Sequence, residues 1–249
     1  MRRIATLLLV FICIAGCSAQ SDRIRPSQSN VIFLVPGVAG PSRSYQNLID
    51  GIHDGGIDRP VQIVSWGAPS MFFFMNFSNT SIHESAERSL AERITKWHAE
   101  HPNATIDIVA HSAGCGVTLG ALKQLPQGCT VSTIVLLAPS VSPQYELEPA
   151  TRAVTGITHV YFSDRDTTFL EWRTGNFGTY DNIKTPAAGN RGFVSAPPGV
   201  KQHGYDPSWN SLGNDGGHFG GLSRSFARDV IAPLLSSPVP SRSSGANPR

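Results

Sequence analysis

Apolar residues along the chain fall into short continuous runs separated by segments of helical spacing. Val31-Ile32-Phe33-Leu34-Val35 is one such run, and Val61 to Trp66, Thr105 to Val109, Thr133 to Leu137 and Thr158 to Phe162 are four more. Uninterrupted runs of this length predict strands of a parallel sheet covered on both faces, because an alternating pattern would mark a sheet with one wet face. Between them, Ser81-Ile82-His83-Glu84 has the form of a capping box, followed by Ala86, Leu90, Ile94 and Trp97 at helical spacing. Cys115 to Gly120 reads as a helix of small residues, and Phe226, Val230, Ile231, Leu234 and Leu235 predict a closing amphipathic helix. Strands alternating with helices imply an α/β domain with a doubly wound, mainly parallel sheet flanked by helices. No insertion large enough for a lid domain follows Leu137. The stretch from Thr167 to Gly217 has no clear period, yet its aromatic residues argue for order, and long irregular segments in a compact domain usually carry function.

The ends read differently. Met1-Arg2-Arg3 and the apolar run from Ile4 to Ala15 have the form of an export signal too short to remain as a membrane span. Ile14-Ala15-Gly16-Cys17 resembles the lipobox of bacterial lipoproteins. The resemblance implies cleavage after residue 16 and lipid modification of Cys17, with a plain secretory cut near Ala19 as the alternative. Ser18 in place of an aspartate favours the outer membrane over the inner. Residues 17–29 then form a tether, 30–236 the folded domain, and 237–249, rich in Ser and Pro, a disordered tail. A formal charge of +2 with no basic run outside the signal gives no reason to expect nucleic acid. Cys115 and Cys129 are expected as free, mostly buried thiols, since an intervening helix would hold them too far apart for a disulfide.

The chemistry centres on Ala110-His111-Ser112-Ala113-Gly114, which joins a predicted strand to a predicted helix. The small residues at 110 and 114 allow a sharp bend that lifts the serine hydroxyl clear of the sheet. The pattern resembles the nucleophile elbow of serine α/β-hydrolases, with alanine in place of the first glycine of G-x-S-x-G. Pro36-Gly37-Val38-Ala39-Gly40 is similar to the oxyanion loop of lipases, and Gly216-Gly217-His218-Phe219-Gly220 precedes the last helix, where that superfamily carries its base. The three fall in the superfamily's order, so the resemblance extends from about Asn30 to Leu235. Val35 to Val38 together with Ala110 to Ser112 are most similar to lipases and lecithin-cholesterol acyltransferase-type enzymes.

That resemblance implies Ser112 as nucleophile, with a histidine and an acid later in the chain. His218 is favoured as the base and His203 is the reserve, whereas His159 lies within a strand. The loop Ser163-Asp164-Arg165-Asp166 follows the fifth strand, and its likeness to G-x-x-D selects Asp166, with Asp164 as competitor. The backbone N–H groups of Val38 and Ala113 are the implied oxyanion donors. Met71 to Phe77, with six large apolar side chains in seven positions, could line an acyl pocket or pack as an entering helix. The expected substrate is therefore a small-molecule or lipid ester with an apolar acyl group, hydrolysed through an acyl-serine without a cofactor. No spacing of His, Cys, Asp and Glu suggests a metal site. A thioesterase, amidase or peptidase would use the same residues, and a hydrolase-like binding protein would keep the fold alone. Expected partners are the substrate and, through Cys17, a membrane of the bacterial cell envelope.

Overall fold

The computed structural model describes residues 30–68, 76 and 79–236. β1 (Val31–Val35) is buried along its whole length. It pairs with β2 (Val61–Ile63) on one side and β3 (Ile106–His111) on the other, both in parallel. β4 (Ile134–Leu137), β5 (Thr158–Phe162) and β6 (Val200–Gly204) continue outward from β3, all parallel, giving the order β2-β1-β3-β4-β5-β6. Because successive side chains on a strand point to opposite faces, β1 serves two cores. Ile32 and Leu34 pack with Leu48 and Ile52 of α1 (Arg43–Asp54) and with Phe226 and Ile231 of the closing helical segment 224–236. Val31, Phe33 and Val35 pack with Leu90 and Ile94 of α2 (Thr80–Glu100) and with Val117 of α3 (Ala113–Lys123). The expected doubly wound sheet is thus present, and no large lid occurs among the described residues.

The chain leaves β1 toward β2 and then crosses back to place β3 on β1's other side. This reversal opens a crevice beyond the carboxyl ends of β1 and β3, where ligands bind in open sheets of this kind. The loop after β1 begins at Pro36, and Ser112 follows β3 directly. The sequence thus brings both to one place.

Several elements differ from expectation. α2 begins two residues earlier than the capping box suggests: Asn79 is the cap, its side-chain oxygen accepting from the N–H groups of Ser81 and Ile82 at 3.1 and 3.3 Å. An asparagine oxygen satisfies the first-turn donors as well as serine does, and it lies closer to the observed start. The second strand stops at Ile63, although Val64 still donates to the Leu34 carbonyl at 2.8 Å. The supposedly irregular stretch holds a π-helical segment Thr167–Arg173, short helices Thr174–Phe177 and Ala188–Arg191, β6, and a 3-10 segment Pro207–Leu212. β6 is an edge strand with no fully buried residue, so Val-Lys-Gln-His-Gly carries no apolar run to betray it. His203, expected in a loop, lies on this strand. The two body cysteines are free and buried. The signal, tether and tail, and Cys17 with them, lie outside the described residues. So does the Met71 to Phe77 stretch, apart from Asn76. No helix among the described residues is long and apolar enough to cross a membrane.

Candidate active site

Ser112 sits on a bend with φ 56° and ψ −126°, a conformation that costs a non-glycine residue on the order of 1–3 kcal/mol. Its peptide groups are held on both sides, which is how such a conformation persists. The Ser112 N–H donates to the Leu137 carbonyl at 2.9 Å, and its carbonyl accepts from Cys115 and Ser140, each at 3.1 Å. The start of α3 packs directly on the end of β1. A β-carbon at Gly114 would lie 2.4 Å from the carbonyl oxygens of both Val35 and Pro36, so only glycine fits. Gly114→Ala is therefore expected to destabilise the fold by about 1–3 kcal/mol, the usual cost of overpacking. A denaturant midpoint equal to that of the wild type would contradict this close approach.

The second residue arrives on a loop made rigid by its own side chains. Asn214 Oδ1 accepts from the Gly216 N–H at 3.0 Å, and Asp215 Oδ1 accepts from the Gly217 N–H at 2.8 Å. Gly216, at φ 83°, turns the chain so that His218 faces Ser112. The His218 Nε2 lies 3.1 Å from Ser112 Oγ, and its Nδ1 lies 2.6 Å from Asp166 Oδ2. The histidine side chain is 6 % exposed and the aspartate 2 %, so the pair is shielded from competing water. Asp166 uses its other oxygen locally: Oδ1 accepts from the N–H groups of Phe169 and Leu170 at 3.2 and 3.3 Å, capping the π-helical segment. That segment returns Phe169, whose ring stacks on His218 with centroids 4.6 Å apart, while Phe219 meets the same ring edge-on at 5.1 Å.

The competitors are held elsewhere. Asp164 is exposed. Arg165 does not pair with it but lies over the Tyr205 ring, 4.6 Å from its centroid, pinning the acid loop to the loop after β6. His203 Nε2 is 3.0 Å from His159 Nδ1, and both rings are occupied with each other beside Tyr161.

The loop after β1 closes the other side of Ser112. A β-carbon at Gly37 would lie 3.1 Å from the serine's own β-carbon. The Gly37 N–H donates to the Tyr45 hydroxyl at 2.8 Å, whereas the Val38 N–H has no acceptor among the described residues. The Val38 carbonyl accepts from Asn76 Nδ2 at 2.9 Å, which fixes the loop from outside. Ala113 is the first residue of α3, where backbone N–H groups have no partner within the helix. Val38, Ala113 and Ser112 all border one open pocket of about 1020 Å³, whose apolar wall includes Phe169, Leu170, Tyr180 and Phe219. Much of that wall comes from the segment that carried no periodicity. Among the described residues no cluster of His, Cys, Asp and Glu could hold a metal ion.

Three residues of the site were not singled out in the sequence. Asn76 is one, and the other two form a buried chain. The Tyr45 hydroxyl lies 2.8 Å from His111 Nδ1, and His111 Nε2 lies 2.8 Å from the His218 carbonyl oxygen. The only signals were that His111 occupies the variable position of the elbow and that Tyr45 opens an amphipathic helix. Burial, and secondarily the nearby His218, hold the His111 pKa down at about 3, while burial pushes Tyr45 up to about 12. Burial and the facing His203 hold His159 at about 4.

These depressed histidines set an acid limit. A histidine kept neutral in the fold but free to protonate near 6.5 when unfolded makes the unfolded chain bind more protons below that pH. Stability from His111 is thus fully present above pH 6.5 and lost as the pH falls toward about 3, with His159 adding over the range down to about 4. The melting temperature is expected to fall steadily from about pH 6.5 downward, and less steeply in His111→Gln. A melting temperature flat from pH 7 to 4 would contradict the assignment.

Comparison with known proteins places this architecture. Residues 46–169, covering β2 to β5, the elbow and Asp166, match the family model described as "Alpha/beta hydrolase of unknown function (DUF900)". The match excludes the Gly37 loop and His218. No curated protein matches the sequence. Among solved structures, Aspergillus fumigatus lipase B is 16% identical, with a TM-score of 0.53 over 89% of this chain and 56% of the lipase. The chain thus spans little more than half of that lipase's length. An acetylxylan esterase is 14% identical over 84% of this chain and 99% of its own, with a TM-score of 0.49. A cutinase-like protein from Cryptococcus sp. is 15% identical over 83% and 92%, with a TM-score of 0.43. At such identities the likeness is one of fold. The parallel sheet, its strand order and the family match over residues 46–169 give this chain the α/β-hydrolase fold.

Proposed function

We propose that the protein is a serine hydrolase that cleaves carboxylic esters carrying an apolar acyl group, through an acyl-serine intermediate. The observation that carries the reading is the continuous contact from Ser112 Oγ to His218 Nε2 at 3.1 Å and from His218 Nδ1 to Asp166 Oδ2 at 2.6 Å. A serine hydroxyl needs such a base to attack at neutral pH, and the base needs an acceptor that fixes its tautomer. With Nδ1–H donated to Asp166, Nε2 is free to take the serine proton as Oγ bonds to the ester carbonyl carbon. Negative charge develops on the carbonyl oxygen, and the N–H groups of Val38 and Ala113 are the donors available to it, each worth about 3 kcal/mol in comparable sites. Collapse of the tetrahedral adduct breaks the bond to the alcohol, which leaves with the proton from His218. Water, deprotonated by the same imidazole, then releases the acid and regenerates Ser112. The apolar wall around Phe169, Leu170 and Phe219 supports an acyl chain as the group bound beside the serine.

The test is a panel of p-nitrophenyl esters of increasing acyl length, with matched thioesters and anilides, assayed on purified enzyme. Ester turnover with an initial burst of alcohol is expected. Exclusive cleavage of thioesters or amides would move the activity to another bond type, and no turnover of any acyl compound would favour a binding role.

The same proposal extends to location: export and lipid anchoring at Cys17, on the strength of the segment Ile14 to Cys17. In a bacterial host the wild type is expected in the membrane fraction and Cys17→Ala in the soluble fraction. A Cys17→Ala protein that stays with the membrane would contradict it.

A further inference from the structure

We propose that His111 is a positioning residue, a buried strut that joins the loop carrying Val38 to the loop carrying His218 and keeps both in register on Ser112. The inference rests on the hydrolase reading for its kinetic consequence but on geometry for its substance. Hydrogen-bond direction along the chain is fully determined. The Gly37 N–H can only donate, so the Tyr45 hydroxyl accepts it at 2.8 Å and must send its own proton elsewhere. The acceptor within reach is His111 Nδ1 at 2.8 Å. His111 therefore carries its proton on Nε2, which donates to the His218 carbonyl at 2.8 Å. No other arrangement of these protons satisfies every contact.

The placement explains why this ring is an imidazole. His111 is 1 % exposed and is the last residue of β3, so it shares a peptide bond with Ser112 and inherits the rigidity of the sheet. Its ring lies 4.8 Å from that of His218. One side chain must accept at one end and donate at the other, across a gap closed to water. Leucine offers neither function. Glutamine offers both, from an amide whose oxygen and nitrogen are separated much as the two ring nitrogens are. Because His111 is held neutral down to about pH 3, the contact to Tyr45 survives across the pH range in which the enzyme would work. The loop of residues 214–217 holds the approach to His218 through its own side chains, and the strut adds a tie at the His218 carbonyl, the point from which the imidazole swings.

Two readouts test this. Kinetically, His111→Leu is expected to lower kcat by about 10- to 100-fold with little change in KM, since a displacement near 1 Å of a reacting group costs about that much. His111→Gln should regain most of the loss, and Tyr45→Phe, which frees the ring to take the wrong tautomer, should fall between them. Tyr145→Phe, at a tyrosine that does not line the pocket, should leave kcat unchanged. Independently of turnover, imidazole 15N spectra of the histidine-labelled protein are expected to show His111 protonated at Nε2 alone, and His111→Leu should shift the His218 ring signals. A kcat for His111→Leu within about threefold of wild type, or His111→Gln no better than His111→Leu, would overturn the strut in an active enzyme. If the wild type hydrolyses nothing, the functional reading fails, and the strut is judged on the spectra: Nδ1 protonation of His111, or His218 signals unmoved by His111→Leu, would overturn it.

Discussion

Ser112→Ala is expected to reduce ester turnover by at least about 10⁴-fold while leaving the protein folded. The oxygen removed makes one side-chain contact, to His218 Nε2 at 3.1 Å, and contributes nothing to the core. The bend at φ 56° is imposed by bonds from the serine's peptide groups to Leu137, Ser140 and Cys115, all of which alanine keeps. Loss of activity with an unchanged melting temperature would therefore report chemistry and not unfolding. Residual turnover from the pocket and the two backbone donors should be small, because removing a nucleophile alone costs about as much as removing the whole constellation. Near-normal hydrolysis by this variant would remove Ser112 from the mechanism.

Asp166→Asn is expected to be almost as damaging, at roughly 10³- to 10⁴-fold in kcat, by analogy with other serine triads. The reason is specific to how Asp166 divides its oxygens. One accepts from His218 Nδ1 at 2.6 Å and the other caps the segment that presents Phe169. An asparagine has a single oxygen for both tasks. If it keeps the cap, its amide N–H₂ faces Nδ1 and forces the proton onto Nε2, where it can no longer accept from the serine. If it keeps the histidine, the first turn of the π-helical segment loses its cap and Phe169 its stacking position. Either outcome lowers turnover. A variant retaining more than a tenth of wild-type kcat would mean that the acid contributes little beyond packing. Asp164→Asn, exposed on the same loop, should change kcat by less than about twofold, since surface substitutions away from such contacts are nearly neutral.

Those residues differ in how visible they were before the fold was known. β1, β3, β4 and β5 announce themselves because strands buried on both faces must be apolar throughout. The elbow is legible for a related reason: the backbone approach of α3 to Val35 and Pro36 tolerates only glycine at 114, and sterics of that kind leave a mark on composition. His218 was marked by its glycines, which the turn at Gly216 requires. β6 left no such mark, being an edge strand whose side chains are half wet. The wall of the pocket was hidden because a π-helical segment has neither helical nor strand period. Asn76, the one polar position in the Met71 to Phe77 run, gave no sign of its role, yet it is 1 % exposed, its amide satisfied by the backbone of Ala68 and Val38. Tyr45 and His111 could not be paired from sequence at all, since the contact joins residues 66 apart through hydroxyl and ring atoms whose direction only the fold decides.

The claim on which the rest depends is that the Ser112 oxygen is a nucleophile activated by His218. Its most direct test is to react the wild type and His218→Ala with a fluorophosphonate and to map the adduct by mass spectrometry. The account predicts one adduct per wild-type chain, on Ser112, and capture slowed by at least about 10³-fold in His218→Ala. No adduct on the wild type, an adduct on another residue, or equal capture by the two proteins would contradict it.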